Sequence, residues 1–185
     1  MPVSLVVRRR AAVALRAALV FLALARGGAT IGAQQTPGIP RIRTTEPLIA
    51  AAIALGAERS TTFRRLTEAI GATDGLVYVE DGKCGDGTVR ACLHMSLTVS
   101  GPNRLLHILV NPRRAPGCEL TSSIAHELQH AWEVLTNPSV RSTPAMVSFL
   151  ERIGPTGSGR FETTEAKRVG LAVEKEVCRR SAVGQ

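Results

Sequence analysis

Aromatic side chains are scarce in this chain, with four Phe, one Tyr and one Trp among 185 residues. Its core must therefore be built mostly from Ala, Val, Leu and Ile, and the 44% hydrophobic content is enough for one ordinary core but hardly two. There is no CxxC pair, which argues against a structural zinc knuckle and a thioredoxin-type redox site. A membrane-spanning helix needs about 20 apolar residues. The best stretch, near the N-terminus, is interrupted by Arg16. Acids are missing from residues 1–33, Asp is missing after Asp86, and no internal repeat is visible.

The formal charge of +8 invites a nucleic-acid reading, but its distribution argues against one. Five Arg (Arg8, Arg9, Arg10, Arg16, Arg26) lie in residues 1–33. Taking these from the 23 basic residues leaves 18 against 15 acids, a balance of +3. Nothing in that surplus marks a phosphate-binding face, so no nucleic-acid partner is expected.

Residues 1–33 have the layout of an export signal. A basic start at Arg8–Arg10 precedes the apolar Ala17–Ala25, and small residues lead to a cleavage point after Ala33. The RRR run resembles a twin-arginine signal only loosely. The expectation is export to a secreted or periplasmic location without a stable membrane anchor. Four cysteines (Cys84, Cys92, Cys118, Cys178) lie beyond that point, an even number suited to an oxidising compartment. Of three possible pairings, Cys84 with Cys92 is preferred because it closes the Gly-rich loop CGDGTVRAC. That leaves Cys118 with Cys178.

Residues 34–45 hold two prolines and no periodicity, and read as a linker or extended arm. Residues 46–185 read as one domain. An Ala-rich helix is expected over Pro47–Gly56. A second, capped by Ser60 and running to Ile70, places Phe63, Leu66 and Ile70 on one face. Strand candidates follow at Leu76–Glu80, Ala91–Val99 and Arg104–Val110, the last two joined by a turn short enough for a hairpin. Helices are then expected at Cys118–Leu135, Pro144–Arg152 and Arg160–Arg180. This order predicts a small α+β domain with a sheet that is at least partly antiparallel.

The chemistry concentrates in HELQH, residues 126–130. Residues four apart on a helix share a face, so His126 and His130 present two imidazoles to one point, a spacing suited to tetrahedral zinc. Glu127 lies beside the first histidine, where its carboxylate can reach a water at the metal without binding the metal itself. From this chain's own His and Glu content, H-E-x-x-H arises by chance about 0.5% of the time. The flanking Ile124, Ala125, Leu128, Gln129, Ala131 and Trp132 are uncharged, as a buried helix requires.

HELQHAW resembles the signature of the zincin metallopeptidases. The resemblance implies a zincin-like fold with an HExxH helix followed by a C-terminal ligand helix, a zinc cofactor, and a peptide or protein substrate. Within that group the metzincin branch is excluded by Glu133 and Thr136, which stand where its glycine and third histidine belong. The aspzincin branch needs a later Asp, and the chain has none. Peptide deformylases place their ligand cysteine much further upstream than Cys118. Cys118 is also more than two helical turns, about 12 Å, from His126. The gluzincin branch remains, and it implies a glutamate ligand from a downstream helix. RFETTEAKRVG offers Glu162 and Glu165. Glu162 is preferred, with Glu165 in support of a zinc-bound histidine, and the reverse assignment stays open. Position 166, often Asp or Asn in relatives, is Ala here.

The same resemblance implies Arg104–Val110 as the substrate-binding edge strand. His94, His107, Tyr78 and Trp132 read as packed or surface residues, Arg113-Arg114 as an exposed turn, and Glu174 and Glu176 as solvated. Three functions follow: an exported zinc peptidase with His126, His130 and Glu162 on the metal and Glu127 as base; a non-catalytic zincin-like module that keeps the metal; and a metal-free, disulfide-stapled binding domain. Exo- or endopeptidase action and oligomeric state stay open.

Overall fold

The computed structural model describes residues 40–154 and 161–181. The export signal read over residues 1–33 and the first half of the 34–45 arm, residues 34–39, lie outside the described residues. Among the described residues nine elements follow in order: β1 (Ile42–Arg43), α1 (Pro47–Arg59), α2 (Thr61–Gly71), β2 (Gly75–Asp81), β3 (Ala91–Ser100), β4 (Asn103–Val110), α3 (Cys118–Leu135), α4 (Thr143–Ile153) and α5 (Thr164–Ser181). This is an α+β domain, as its sequence predicts. Near the end of the 34–45 arm, Ile42 and Arg43 pair with Val77 and Tyr78 as a short strand.

Strand order is β1-β2-β4-β3, with β1, β2 and β4 parallel and β3 antiparallel to β4. The β3–β4 pair is the expected hairpin, turning at Gly101 in the left-handed region, φ +55°. Period-two patterning gives the sheet a buried face of Val77, Val79, Leu106, Ile108 and Val110. Against it lies α3, whose Ile124, Leu128 and Ala131 are fully buried and whose other sides meet α1, α2 and α5. Local chemistry sets the helix starts. Ser60 Oγ accepts from Phe63 N–H at 2.9 Å, and Ser142 caps α4 in the same way. Glu176, expected to be solvated, instead reaches across from α5. It accepts from Ser60 Oγ and from Thr62 N–H and Oγ at the opening of α2.

The β4 edge assignment is also corrected. β4 is an interior strand flanked by β2 and β3, and the edges are β1 and β3. Arg104, at the start of β4, does not face a cleft. Its side chain is only 2% exposed, and it donates to Asp74 and to the carbonyls of Val134, Leu135, Asn137 and Val140. Val134 and Leu135 belong to the last turn of α3, whose terminal carbonyls have no partner within the helix. One guanidinium therefore seals the end of the central helix.

Two disulfides form, Cys84–Cys92 and Cys118–Cys178, the preferred pairing. They suit an oxidising, extracellular compartment. No helix among the described residues is long and apolar enough to cross a membrane. Cys118 opens α3 and Cys178 lies near the end of α5, so the second bridge joins two antiparallel helices across 60 residues of sequence. Replacing both Cys118 and Cys178 with Ala should lower unfolding free energy by about 2–4 kcal/mol. Denaturant melts against the parent check this, and an unchanged midpoint would show that helix packing alone fixes the pair.

Candidate metal centre

The site forms where α3 faces the segment leading into α5. His126 and His130, one turn apart on α3, stand with ring centroids 5.1 Å apart and nearly perpendicular. Glu162 closes the group, with its Oε1 3.1 Å from His126 Nε2. One ligand atom from each of the three lies within 4.8 Å of the others, so the group could hold a metal ion.

Hydrogen bonding at His130 supports that reading. Its Nδ1 lies 3.1 Å from Glu133 Oε2. A carboxylate can only accept, so in the neutral ring the proton sits on Nδ1 and Nε2 is left with its lone pair. That Nε2 is buried and has no hydrogen-bond partner. A buried nitrogen without a partner is costly in a folded protein unless something at the site uses it. His130 is grouped with His126 and Glu162, and such a lone pair is one that a metal ion could take.

Glu133 is the residue that sequence reasoning missed. The contact with a site histidine that was expected of Glu165 is made by Glu133. Glu165 is exposed and paired with Arg168, away from the histidines. Burial works against the Glu133 carboxylate, but hydrogen bonds from His130, Thr163 and Gln129 outweigh it and hold its pKa below the ordinary value. Thr163 follows Glu162 directly, so Glu133 ties the histidine helix to the segment carrying the third group. The signal was present in the sequence: a Glu three residues after His130 lies on the same helical face.

The location of Glu162 also differs from expectation. It lies ahead of α5, two residues before Thr164, rather than on the helix. Gly170 brings α5 close to the site. A Cβ there would lie 3.3 Å from His126 Cβ and 3.4 Å from His126 Nδ1. Glycine in the middle of a helix costs about 1 kcal/mol relative to Ala. Here it gives α5 room to pass the His126 ring.

Glu127 is buried beside the group, and its Oε2 accepts from Leu93 N–H at 2.7 Å. Burial raises its pKa. The two histidines and the Leu93 amide pull the other way without overcoming it. His130 is shifted too. Burial alone would lower its pKa, but Glu133 and the neighbouring carboxylates raise it above the usual imidazole value. In front of these residues a cleft opens in two lobes of about 630 and 440 Å³. Both lie in the range of small-molecule and cofactor sites.

The remaining sequence candidates lie outside the group of His126, His130 and Glu162. Tyr78 and His107 stack at 5.3 Å on neighbouring strands, beside Glu80 and Arg43, and take no part in the metal group. Trp132 packs against the core, and Arg113-Arg114 is exposed. His94 lines the larger lobe with its Nδ1 2.8 Å from Ser96 Oγ. Glu174, expected to be solvated, lines the smaller lobe.

No protein-family model, curated protein or solved structure matches the chain.

The Glu133 geometry gives a direct expectation. Glu133→Gln keeps the shape but weakens acceptance from His130, and the affinity for a metal held by this group should fall about 10- to 100-fold. Metal titration by calorimetry measures the affinity. Binding equal to the parent would show that His130 is held without Glu133.

Proposed function

We propose that this chain is an exported zinc-dependent metallopeptidase, similar in its site to the gluzincins, with His126, His130 and Glu162 holding the metal and Glu127 acting as general base. One observation carries the proposal. The Nε2 of His130 is buried and without a partner, and His130 belongs to a two-histidine, one-glutamate set whose ligand atoms lie within 4.8 Å of one another. That donor set suits zinc, which takes nitrogen and carboxylate ligands and keeps a position open in catalytic sites. Bound there, zinc would polarise the scissile carbonyl and lower the pKa of a water to about 7.

The chain's own residues supply the remaining chemistry. The Glu127 carboxylate is fixed on one side by the Leu93 amide and borders both lobes of the cleft. It takes the proton of the attacking water and hands it to the leaving amine. Glu133 holds the His130 ring in the tautomer that leaves Nε2 available. The disulfides, together with the basic–apolar–small pattern of residues 1–33, support action outside the cytosol.

The test is metal content beside peptide hydrolysis. Elemental analysis of unchelated protein should find about one zinc per chain, and that zinc should be required for cleavage of a mixed peptide pool. Affinity should also depend on pH. A ligating imidazole must give up the proton on its ligand nitrogen. A raised His130 pKa means that proton is held more tightly, so affinity declines as pH falls, beginning above the ordinary value of 6.5. Protein that refuses added zinc at neutral pH would rule the proposal out.

A further inference from the structure

The Glu127 carboxylate is tied to the sheet through the Leu93 amide, 2.7 Å from its Oε2. Leu93 lies in a short piece of β3. Ala91, Cys92 and Leu93 pair with Val110, Leu109 and Ile108, and the register then shifts before Leu97 pairs with Leu106. On the other side of this piece, residues 82–90 form neither strand nor helix. β3 is also an edge strand, paired with β4 alone among the described residues. A three-residue edge piece between a bulge and a loop has few bonds of its own, and such places open most readily.

The Cys84–Cys92 disulfide sits at this point. Cys92 is the residue before Leu93, and Cys84 is buried with its Sγ 3.6 Å from the Leu109 carbonyl in β4. The bridge therefore fastens the opening of β3 to the sheet from outside the ladder. Both cysteines stand on the wall of the larger lobe, together with Glu127 and His130. The metal group is held by other means. His126 and His130 belong to α3, Glu162 leads into α5 through Thr163, and the bridge that joins those two helices is Cys118–Cys178.

We propose that the Cys84–Cys92 bridge is a positioning element of this site: by fixing Leu93 it holds the Glu127 carboxylate in place, and opening it lowers hydrolysis without releasing the metal. This rests on the peptidase reading above and adds a condition to it. Closing the bridge is an exchange of disulfides. The Cys84 and Cys92 thiols give two electrons and two protons to another disulfide, which leaves as two thiols, so one S–S bond forms as one breaks. A chain with both thiols free has its metal group but an unfixed base, so activity follows arrival in an oxidising compartment.

Amide exchange, zinc content and hydrolysis are read on the same proteins. With Cys84→Ser and Cys92→Ser together, the Leu93 amide should exchange at least about tenfold faster than in the parent, while about one zinc per chain remains. Opening the other bridge with Cys118→Ala and Cys178→Ala should leave Leu93 within about threefold, which separates a local tie from general loosening. Peptide hydrolysis should fall about 10²-fold when Cys84 and Cys92 are replaced, the cost of misplacing a reacting group by about 1 Å. In the Glu127→Gln background the same replacement should cost no more than about threefold, because the group that the bridge positions is already gone. A second bridge-free pair, Cys84→Ala with Cys92→Val, keeps apolar atoms in the buried position and must show the same pattern, so misfolding of the first pair does not decide the matter.

An unchanged Leu93 amide would overturn the proposal. So would equal losses of hydrolysis with and without the Glu127 carboxylate, or zinc lost when this bridge is opened. A parent protein that cuts no peptide would end the peptidase reading by itself, and exchange at Leu93 would still decide whether the bridge holds the carboxylate.

Discussion

Replacing Glu127 with Gln should leave one zinc per chain and lower peptide hydrolysis by about 10²- to 10⁴-fold, the range for loss of general-base assistance. The amide keeps the shape of the side chain and an oxygen able to accept from Leu93 N–H, so the fold and the cleft should persist. Only the proton-accepting charge is lost. Glu162→Gln should act differently. It removes an anionic group 3.1 Å from His126 Nε2, and metal affinity itself should drop. Glu165→Gln should change neither quantity much, because Glu165 is exposed and paired with Arg168. Zinc titration beside a cleavage assay on the three variants reads all of these outcomes. Cleavage that survives in the Glu127 variant would remove the mechanism, and zinc lost in the Glu165 variant alone would reverse the ligand assignment.

Arg104→Met should produce the largest loss of stability of any substitution considered for this chain, about 3–5 kcal/mol. The methionine fills part of the space but supplies no donor. Asp74 and the carbonyls of Val134, Leu135, Asn137 and Val140 would then lose their shared partner. Buried acceptors left unmet cost more than the net value of the bonds they made. Thermal and denaturant melts measure this, and a midpoint close to the parent's would mean that water or a shift of α3 satisfies those carbonyls.

The same network predicts a response to acid. Burial would raise the Asp74 pKa, but Arg104 and Arg141 outweigh it and lower the pKa below 3.8. A depressed carboxylate contributes stability that is present above its unfolded pKa and lost as pH falls through its folded one. Part of the loss of stability below about pH 4 should therefore disappear in Asp74→Asn.

Legibility in the sequence followed the range of the interactions. The helix over Cys118–Leu135 and the strands at β2, β3 and β4 were readable within a residue or two. Their periodicities, bounded by Gly and Pro, are local properties of the chain. The two histidines and Glu127 were readable because a single helical turn fixes their relation. Glu162 was chosen through a resemblance and an elimination, and the structure places it against His126. Its place ahead of α5 was missed, although Thr163, whose Oγ1 accepts from Ala166 N–H, is the local cap that starts the helix. Glu133 was visible as a neighbour of His130 on one face, but its bond to Thr163 depends on a contact between elements 30 residues apart in sequence.

The sequence by itself determined the helix-borne pair of imidazoles, the carboxylate beside them and the alternation that gives the sheet a buried face. Each follows from backbone geometry that repeats within a few residues. Tertiary structure decided which strand forms the edge, because parallel pairing of β2 with β4 puts β4 inside and leaves β3 beside the cleft. It also decided that Arg104 serves the end of α3, that Gly170 gives α5 room beside His126, and that Glu133 rather than Glu165 orients His130. Hydrogen bonds and close packing act over a few ångströms of space, and only the folded chain brings those residues that close.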